Sequence, residues 1–75
     1  MTNMIEEHDI VALTVDLPDH GLLRDDLGTV VMLHGQEGFE VEITTLDGRT
    51  IAVVSLAADQ VRATRTHEIA HARAV

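Results

Sequence analysis

The chain lacks cysteine, tryptophan and tyrosine, and Phe39 is its single aromatic residue. The absence of cysteine excludes disulfides and thiolate zinc sites. One aromatic ring offers almost no platform for stacking nucleic-acid bases, and it cannot line a groove for proline-rich peptides. No apolar run approaches the roughly 18 residues of a membrane span, and the acidic opening MTNMIEEHDI shows no secretory pattern. We therefore expect a cytoplasmic protein with neither a membrane nor a nucleic acid as its partner.

Lysine is absent as well, which makes the charge strongly one-sided. Thirteen acidic residues face five arginines, and the 75-residue chain carries a formal net charge of −8 at pH 7. Such a surface repels phosphate backbones, whose neutralisation supplies most non-specific nucleic-acid affinity. It suits a basic protein partner, because complementary charge accelerates encounter. A simpler interpretation, that the acidity only keeps the domain in solution, fits equally well.

The apolar residues that are present follow strand-like patterns in five segments: 8–15, 28–34, 39–44, 50–56 and 61–64. Only the third segment, FEVEIT, alternates strictly between apolar and polar residues, and this fixes which of its faces is dry. In the other segments a slip of one residue would exchange the two faces. The predicted inward-facing residues are Val11, Leu13, Val30, Met32, Val41, Ile43, Ile51 and Val53.

The connections between these segments complete the predicted fold. Residues 16–27 form a long irregular loop, 34–38 a short turn, Asp47-Gly48 a tight hairpin, and 57–60 a single helical turn. This order predicts an all-β fold: one SH3-like, five-stranded, partly open barrel over residues 4–64. The alanine-rich remainder, residues 65–75, predicts a short C-terminal helical tail.

Several short motifs, in this order and spacing, resemble the small bacterial family called domain of unknown function 4926. They are HDIV at the start, DLP in the long loop, GTVV, VEI, the hairpin DG, and DQVR near the end. The resemblance covers about residues 4–62. It implies an SH3-like barrel and supplies no catalytic residue, and it suggests an antitoxin-like member of a protein pair.

The segment His67-Glu68-Ile69-Ala70-His71 matches the H-E-x-x-H signature of zinc peptidases. On a helix, His67 and His71 would share one face and both could bind a zinc ion, with Glu68 as general base. Only four residues follow His71, so no third ligand lies downstream. We therefore predict that the protein is not an enzyme and needs no cofactor. His67 and His71 stay candidate metal ligands, and the alternative is two solvated histidines.

These features favour non-catalytic binding of a basic protein, with the acidity as the attracting feature. Candidate contact residues lie in the long loop and on the polar face of the third strand: Asp16, Asp19, Leu22, Leu23, Asp25, Asp26, Glu40 and Glu42. Loops held by a rigid scaffold are where binding residues concentrate. In the alternative interpretation the loop leucines simply cap the barrel and the carboxylates are solvated.

Two other functions remain open from the sequence. One is a zinc-binding protein or hydrolase built on HEIAH. The other is a structural domain that pairs with a copy of itself through a sheet edge, giving a homo-oligomer.

Overall fold

A computed structural model of the protein describes residues 5–35 and 37–75, and it contains five strands. They are β1 (Ile10–Leu13), β2 (Leu27–His34), β3 (Gly38–Thr44), β4 (Thr50–Ala57) and β5 (Val61–Ala63). Two single-turn 3-10 helices, Pro18–His20 and Ala58–Gln60, precede β2 and β5. The all-β prediction is confirmed. Residue 4, at the predicted start of the domain, and Gln36, in the predicted 34–38 turn, lie outside the described residues.

All strands pair antiparallel in one sheet with the order β4-β3-β2-β1-β5. The sheet curls around an aliphatic core but does not close, because among the described residues no ladder joins β4 to β5. No helix in the described part of the chain is long and apolar enough to cross a membrane.

Strand β3 organises the packing because its alternation is unambiguous. Val41 is fully buried between Val30 of β2 and Val54 of β4, its direct cross-strand neighbours. Gly28 lets β2 approach β3 closely: a Cβ there would lie 2.5 Å from Val41 Cγ1 and 2.7 Å from Ile43 Cδ1. The glycine is therefore required by the core, since no other side chain fits between these two residues.

The predicted core is confirmed at five positions and wrong at three. Val11, Leu13, Val30, Val41 and Ile43 are buried, whereas Met32, Ile51 and Val53 are 52%, 36% and 55% exposed. The core also includes Ala12, Leu22, Val54, Leu56 and Val61.

Two register shifts explain the three errors. The β2–β3 ladder shifts between Val30 and Met32, which moves Met32 out of the core. The β3–β4 ladder shifts between Ile43 and Thr44, so that Val54 rather than Val53 pairs with buried Val41. Apolar residues occur at both parities of TIAVVSLA, and the sequence pattern alone therefore left the register of β4 undetermined.

The predicted long loop between β1 and β2 is present, and backbone pairing orders part of it. Leu17 and Leu22 exchange both backbone hydrogen bonds around the Pro18–His20 turn, at 2.9 and 3.1 Å. Gly21 closes this turn in the left-handed conformation, at φ +68°. The result is a small folded lobe, held rigidly on the barrel.

The predicted C-terminal helix is also absent. After β5, residues 66–67 form one turn and residues 68–75 have no regular structure. A short helix is marginal in water unless it buries an apolar face, and the apolar residues here, Ile69 and Val75, are 84% and 76% exposed. The tail is instead held by two ion pairs, described below.

The register of β4 can be tested by making the same change, valine to alanine, at two adjacent positions. We expect Val54→Ala to lower the free energy of unfolding by roughly 2 kcal/mol, because it removes two buried methyl groups and leaves a cavity. Val53→Ala, on the exposed face, should change it by less than about 0.5 kcal/mol. Urea denaturation of both variants measures this, and a larger loss for Val53→Ala would contradict the register.

Candidate functional site

The side of the sheet that faces away from the core carries two rows of side chains. One row runs across four strands through the pairs Ile10–Thr29, Thr29–Glu42 and Glu42–Val53. The second row, two residues further along β3, joins Met32, Glu40 and Ser55. We call this surface the outer sheet face, and it consists of Ile10, Thr29, Met32, Glu40, Glu42, Val53 and Ser55.

The outer sheet face combines exposed apolar groups with acidic ones. Ile10, Met32 and Val53 are each more than half exposed, at 54%, 52% and 55%. They surround Glu40 and Glu42, whose Cα atoms are about 7 Å apart along β3. Four strands at a spacing of about 4.8 Å make this a surface about 14 Å wide, which is enough to receive one element of a partner.

Hydrogen bonds hold both carboxylates over the neighbouring strand β4. Glu42 Oε2 accepts from the Thr50 hydroxyl at 2.6 Å. Glu40 Oε2 accepts from the Ser55 hydroxyl and lies 2.8 Å from His34 Nε2. The hydrogen bond from Ser55, and next that from His34, hold the pKa of Glu40 below its ordinary value. Glu40 therefore stays ionised across the neutral range.

The hydrogen bonds of these side chains bear on what chemistry the arrangement can support. A general acid needs a raised pKa, whereas the pKa of Glu40 is lowered. The Ser55 hydroxyl donates to the Glu40 carboxylate and not to an imidazole, which differs from the serine–histidine pair of a catalytic triad. Two clefts, of about 560 and 220 Å³, lie beside the tail, and neither is lined by Glu40 or Glu42.

The carboxylates of the β1–β2 loop are mostly used within the fold. Asp16 Oδ1 accepts from the Arg24 backbone N–H at 2.8 Å, and Asp26 Oδ2 accepts from the Leu23 backbone N–H at 2.8 Å. Asp25 lies 3.8 Å from the guanidinium of Arg62. The fourth acid of the loop is Asp19. Among the described residues, its side chain has no hydrogen-bond or ion-pair partner. The structure thus separates the loop acids, which shape the lobe, from Glu40 and Glu42 on the sheet.

The two loop leucines differ in their exposure to solvent. Leu22 is 1% exposed and belongs to the core, so it has no surface with which to contact a partner. Leu23 is 48% exposed and remains available. The interpretation of the loop leucines as a cap on the barrel therefore holds for Leu22.

The HEIAH segment lacks the helix on which its zinc-site geometry depends. His67 is in a turn, His71 is in irregular chain, and both are exposed. Glu68 accepts from Arg62 Nη1 and from the Arg65 backbone N–H, each at 2.7 Å, and these bonds lower its pKa. A carboxylate held in this way is a poor general base. Within the described ranges, no group of three histidine or acidic side chains could hold a metal ion.

A bidentate ion pair between Arg73 and Asp26 attaches the tail to the β1–β2 lobe. Arg73 Nε lies 2.8 Å from Asp26 Oδ1, and Arg73 Nη2 lies 2.6 Å from Asp26 Oδ2. The same Nη2 donates to the Gly21 carbonyl at 3.0 Å. This bidentate contact, which sequence reasoning missed, forms one wall of the larger cleft, beside apolar Leu27 and Ile43.

The exposed apolar members of the outer sheet face were also missed. One signal in the sequence identifies the exposed side of β4: Ser55 is in phase with Ile51 and Val53, so the polar residue marks the solvent side. No comparable signal marks Met32, because the bulge that exposes it lies inside the apolar run VVML.

Comparison with known proteins identifies a family for most of the chain. The sequence model of a family described as "Domain of unknown function (DUF4926)" matches residues 7–63, from just before β1 to the end of β5. No curated protein and no solved structure gives a match. The matched range contains the whole outer sheet face, whereas Arg73 and the HEIAH segment lie beyond it.

The attachment of the tail predicts a pH-dependent stability difference. The Arg73 hydrogen bond is the main cause of the lowered pKa of Asp26. A carboxyl whose pKa is lowered by folding contributes stability above its unfolded pKa, about 3.9, and loses it as the pH falls through the lower folded value. We expect Arg73→Ala to lower the melting temperature by a few degrees at neutral pH. The difference should disappear at strongly acidic pH.

Arg24→Ala is the matched control for this measurement. It removes the same charge from the lobe to which Arg73 attaches the tail, and the ion pairs of the described residues do not include the Arg24 side chain. Thermal unfolding of both variants between neutral and acidic pH separates the two effects. An equal loss in both, or a loss for Arg73→Ala that does not change with pH, would contradict the assigned role of the ion pair.

Proposed function

The chain belongs to the DUF4926 family, and we propose that it is a non-catalytic protein-binding module that docks on a basic partner through its outer sheet face. The proposal keeps the binding function expected from the acidic sequence. It narrows the predicted contact surface, which included the β1–β2 loop as well as Glu40 and Glu42, to these two carboxylates with their apolar neighbours. We propose that three residues of the β1–β2 lobe make peripheral contacts with the partner: Asp19, Leu23 and Asp25.

One observation carries this proposal: two carboxylates lie on one sheet face together with three apolar side chains that are each more than half exposed. Protein interfaces combine an apolar centre that loses water with polar groups that set orientation. Met32 and Val53 would supply the apolar contacts. Glu40 and Glu42, held by Ser55 and Thr50, would meet arginine or lysine without first having to be ordered.

The acids of the lobe and tail support the outer sheet face as the docking surface, because several of them already pair with arginine. Arg62 and Arg73, two of the five arginines, form ion pairs with Asp25, Asp26 and Glu68. These contacts reduce the negative charge of the lobe and tail. Glu40 and Glu42 face no arginine among the ion pairs of the described residues, so both carboxylates are available to attract a cation.

We also propose that the fold is the SH3-like small barrel. The strand order β4-β3-β2-β1-β5, the long lobe after β1, the tight β3–β4 hairpin and the 3-10 turn before β5 support this assignment. In this role the barrel is a rigid scaffold. The most specific form of the proposal is an antitoxin-like or immunity-like member of a protein pair, acting in the cytoplasm on a basic protein.

The proposal is tested by a double substitution, Glu40→Gln with Glu42→Gln. Each glutamine keeps the size and most hydrogen bonds of the side chain and removes its charge. Partners captured from native lysate at low and moderate salt, and identified by mass spectrometry, supply the binding protein. We expect the double variant to bind that purified protein roughly tenfold more weakly at low salt, with a smaller salt dependence.

Glu7→Gln with Glu37→Gln is the matched control, because it makes the same chemical change at two exposed positions outside both the outer sheet face and the peripheral contacts. Circular dichroism confirms that both double variants stay folded. Equal weakening by the two variants would mean that net charge alone attracts the partner. That result, or unchanged binding by Glu40→Gln with Glu42→Gln, would contradict the assigned surface.

A further inference from the structure

Strand β4 is an edge strand without the features that usually protect an edge. It is eight residues long, TIAVVSLA, and contains no charged residue and no proline. Its register shift lies at the hairpin end, so residues 52–57 form a regular ladder with β3. Long, regular, uncharged edges readily pair with another strand, and natural proteins block them with charge, proline, bulges or short length.

The backbone groups on the outer side of β4 have no partner strand. In an antiparallel ladder, every second residue directs its N–H and C=O away from the neighbouring strand. Over residues 5–35 and 37–75, no backbone hydrogen bond joins β4 to any strand other than β3. The β4 side chains on the outer sheet face, Val53 and Ser55, are exposed, whereas Val54 and Leu56 lie in the core.

The opposite edge of the same sheet shows the contrast. Strand β5 has only three residues, and its central residue is charged. That residue, Arg62, pairs with Glu68 of the tail at 2.7 Å and lies 3.8 Å from Asp25. One edge is therefore short, charged and occupied by intramolecular contacts, while the other is long and uncharged.

The charges beside β4 indicate what kind of strand it would receive. The Glu40 and Glu42 carboxylates bond to Ser55 and Thr50 of β4, so they lie over the strand next to the open edge. An added strand would lie about 4.8 Å beyond β4, with alternate side chains on the outer sheet face. A lysine or arginine at those positions would reach back across β4 to the two carboxylates.

A second copy of the chain fits this edge less well. Its own β4 carries no cation, and it would bring two more carboxylates toward Glu40 and Glu42. Each copy also has a net charge of −8, which opposes self-association.

We propose that the open edge of β4 is a strand-addition site for an extended segment of a basic protein, with lysine or arginine at alternate positions. This inference rests on the proposed function and specifies how the partner binds. Main-chain hydrogen bonds to β4 would give affinity, and the alternating cations would give specificity.

The test uses the intact protein and a short synthetic peptide of alternating lysine and valine. Amide hydrogen exchange, followed by NMR, reports on each backbone N–H of β4. We expect every second amide of β4 to exchange at least roughly tenfold more slowly with the peptide, because only the outward-facing amides gain a partner. Binding should weaken when alternate peptide nitrogens are methylated, when glutamate replaces lysine, and in the Glu40→Gln, Glu42→Gln variant.

Each other outcome overturns the inference in a recognisable way. If the peptide binds and the methylated peptide binds equally well, without alternating protection, the outer sheet face binds cations but β4 accepts no strand. If alternate β4 amides become protected with rising protein concentration alone, the occupant is a second copy. If the peptide does not bind, strand addition is wrong, while a lysate partner sensitive to the Glu40→Gln, Glu42→Gln change would leave the proposed function standing.

Discussion

The strict alternation of β3 is the constraint on which the rest of the structure depends. This strand lies between β2 and β4, so its register decides which residues of both neighbours face the core. Val41 aligns with Val30 and Val54 inside, and the same alignment places Glu40 and Glu42 outside, beside Met32 and Val53. The alignment of β3 with its neighbours therefore determines both the buried core and the candidate binding surface. A one-residue slip of β3 would bury two carboxylates, at a cost that so small a domain could not sustain.

The distribution of charge partners gives this acidic chain a preferred surface. Asp26 binds Arg73 and a backbone N–H, and Asp16 binds another backbone N–H, so these loop acids stabilise the lobe and fasten the tail. Glu40 and Glu42 bind only hydroxyls and a histidine, which orient them without cancelling their charge. Net charge alone therefore does not locate the site. The candidate surface is instead defined by two carboxylates that have no arginine partner among the ion pairs of the described residues and that lie beside exposed apolar groups.

Sequence reasoning succeeded where one physical signal dominated and failed where two were balanced. The hairpin at Asp47-Gly48 is confirmed, with Gly48 at φ +88°, because few other residues adopt that conformation. The tail was predicted to be helical from its alanine content, but alanine favours a helix only weakly, and the ion pair of Arg73 with Asp26 is not encoded locally. His67 and His71 match a zinc signature in spacing, yet spacing has that meaning only on a helix.

The sequence by itself determined the all-β class, the five strands, the acidic character and the family, since periodicity, turn residues and charge are local or additive properties. Tertiary structure decided which of two possible faces of β4 is buried, because Val53 and Val54 are equally apolar and only pairing with Val41 distinguishes them. It also decided where the β2 bulge falls, which exposes Met32. The open edge of β4 follows from the strand order, and strand order depends on contacts between residues distant in the chain.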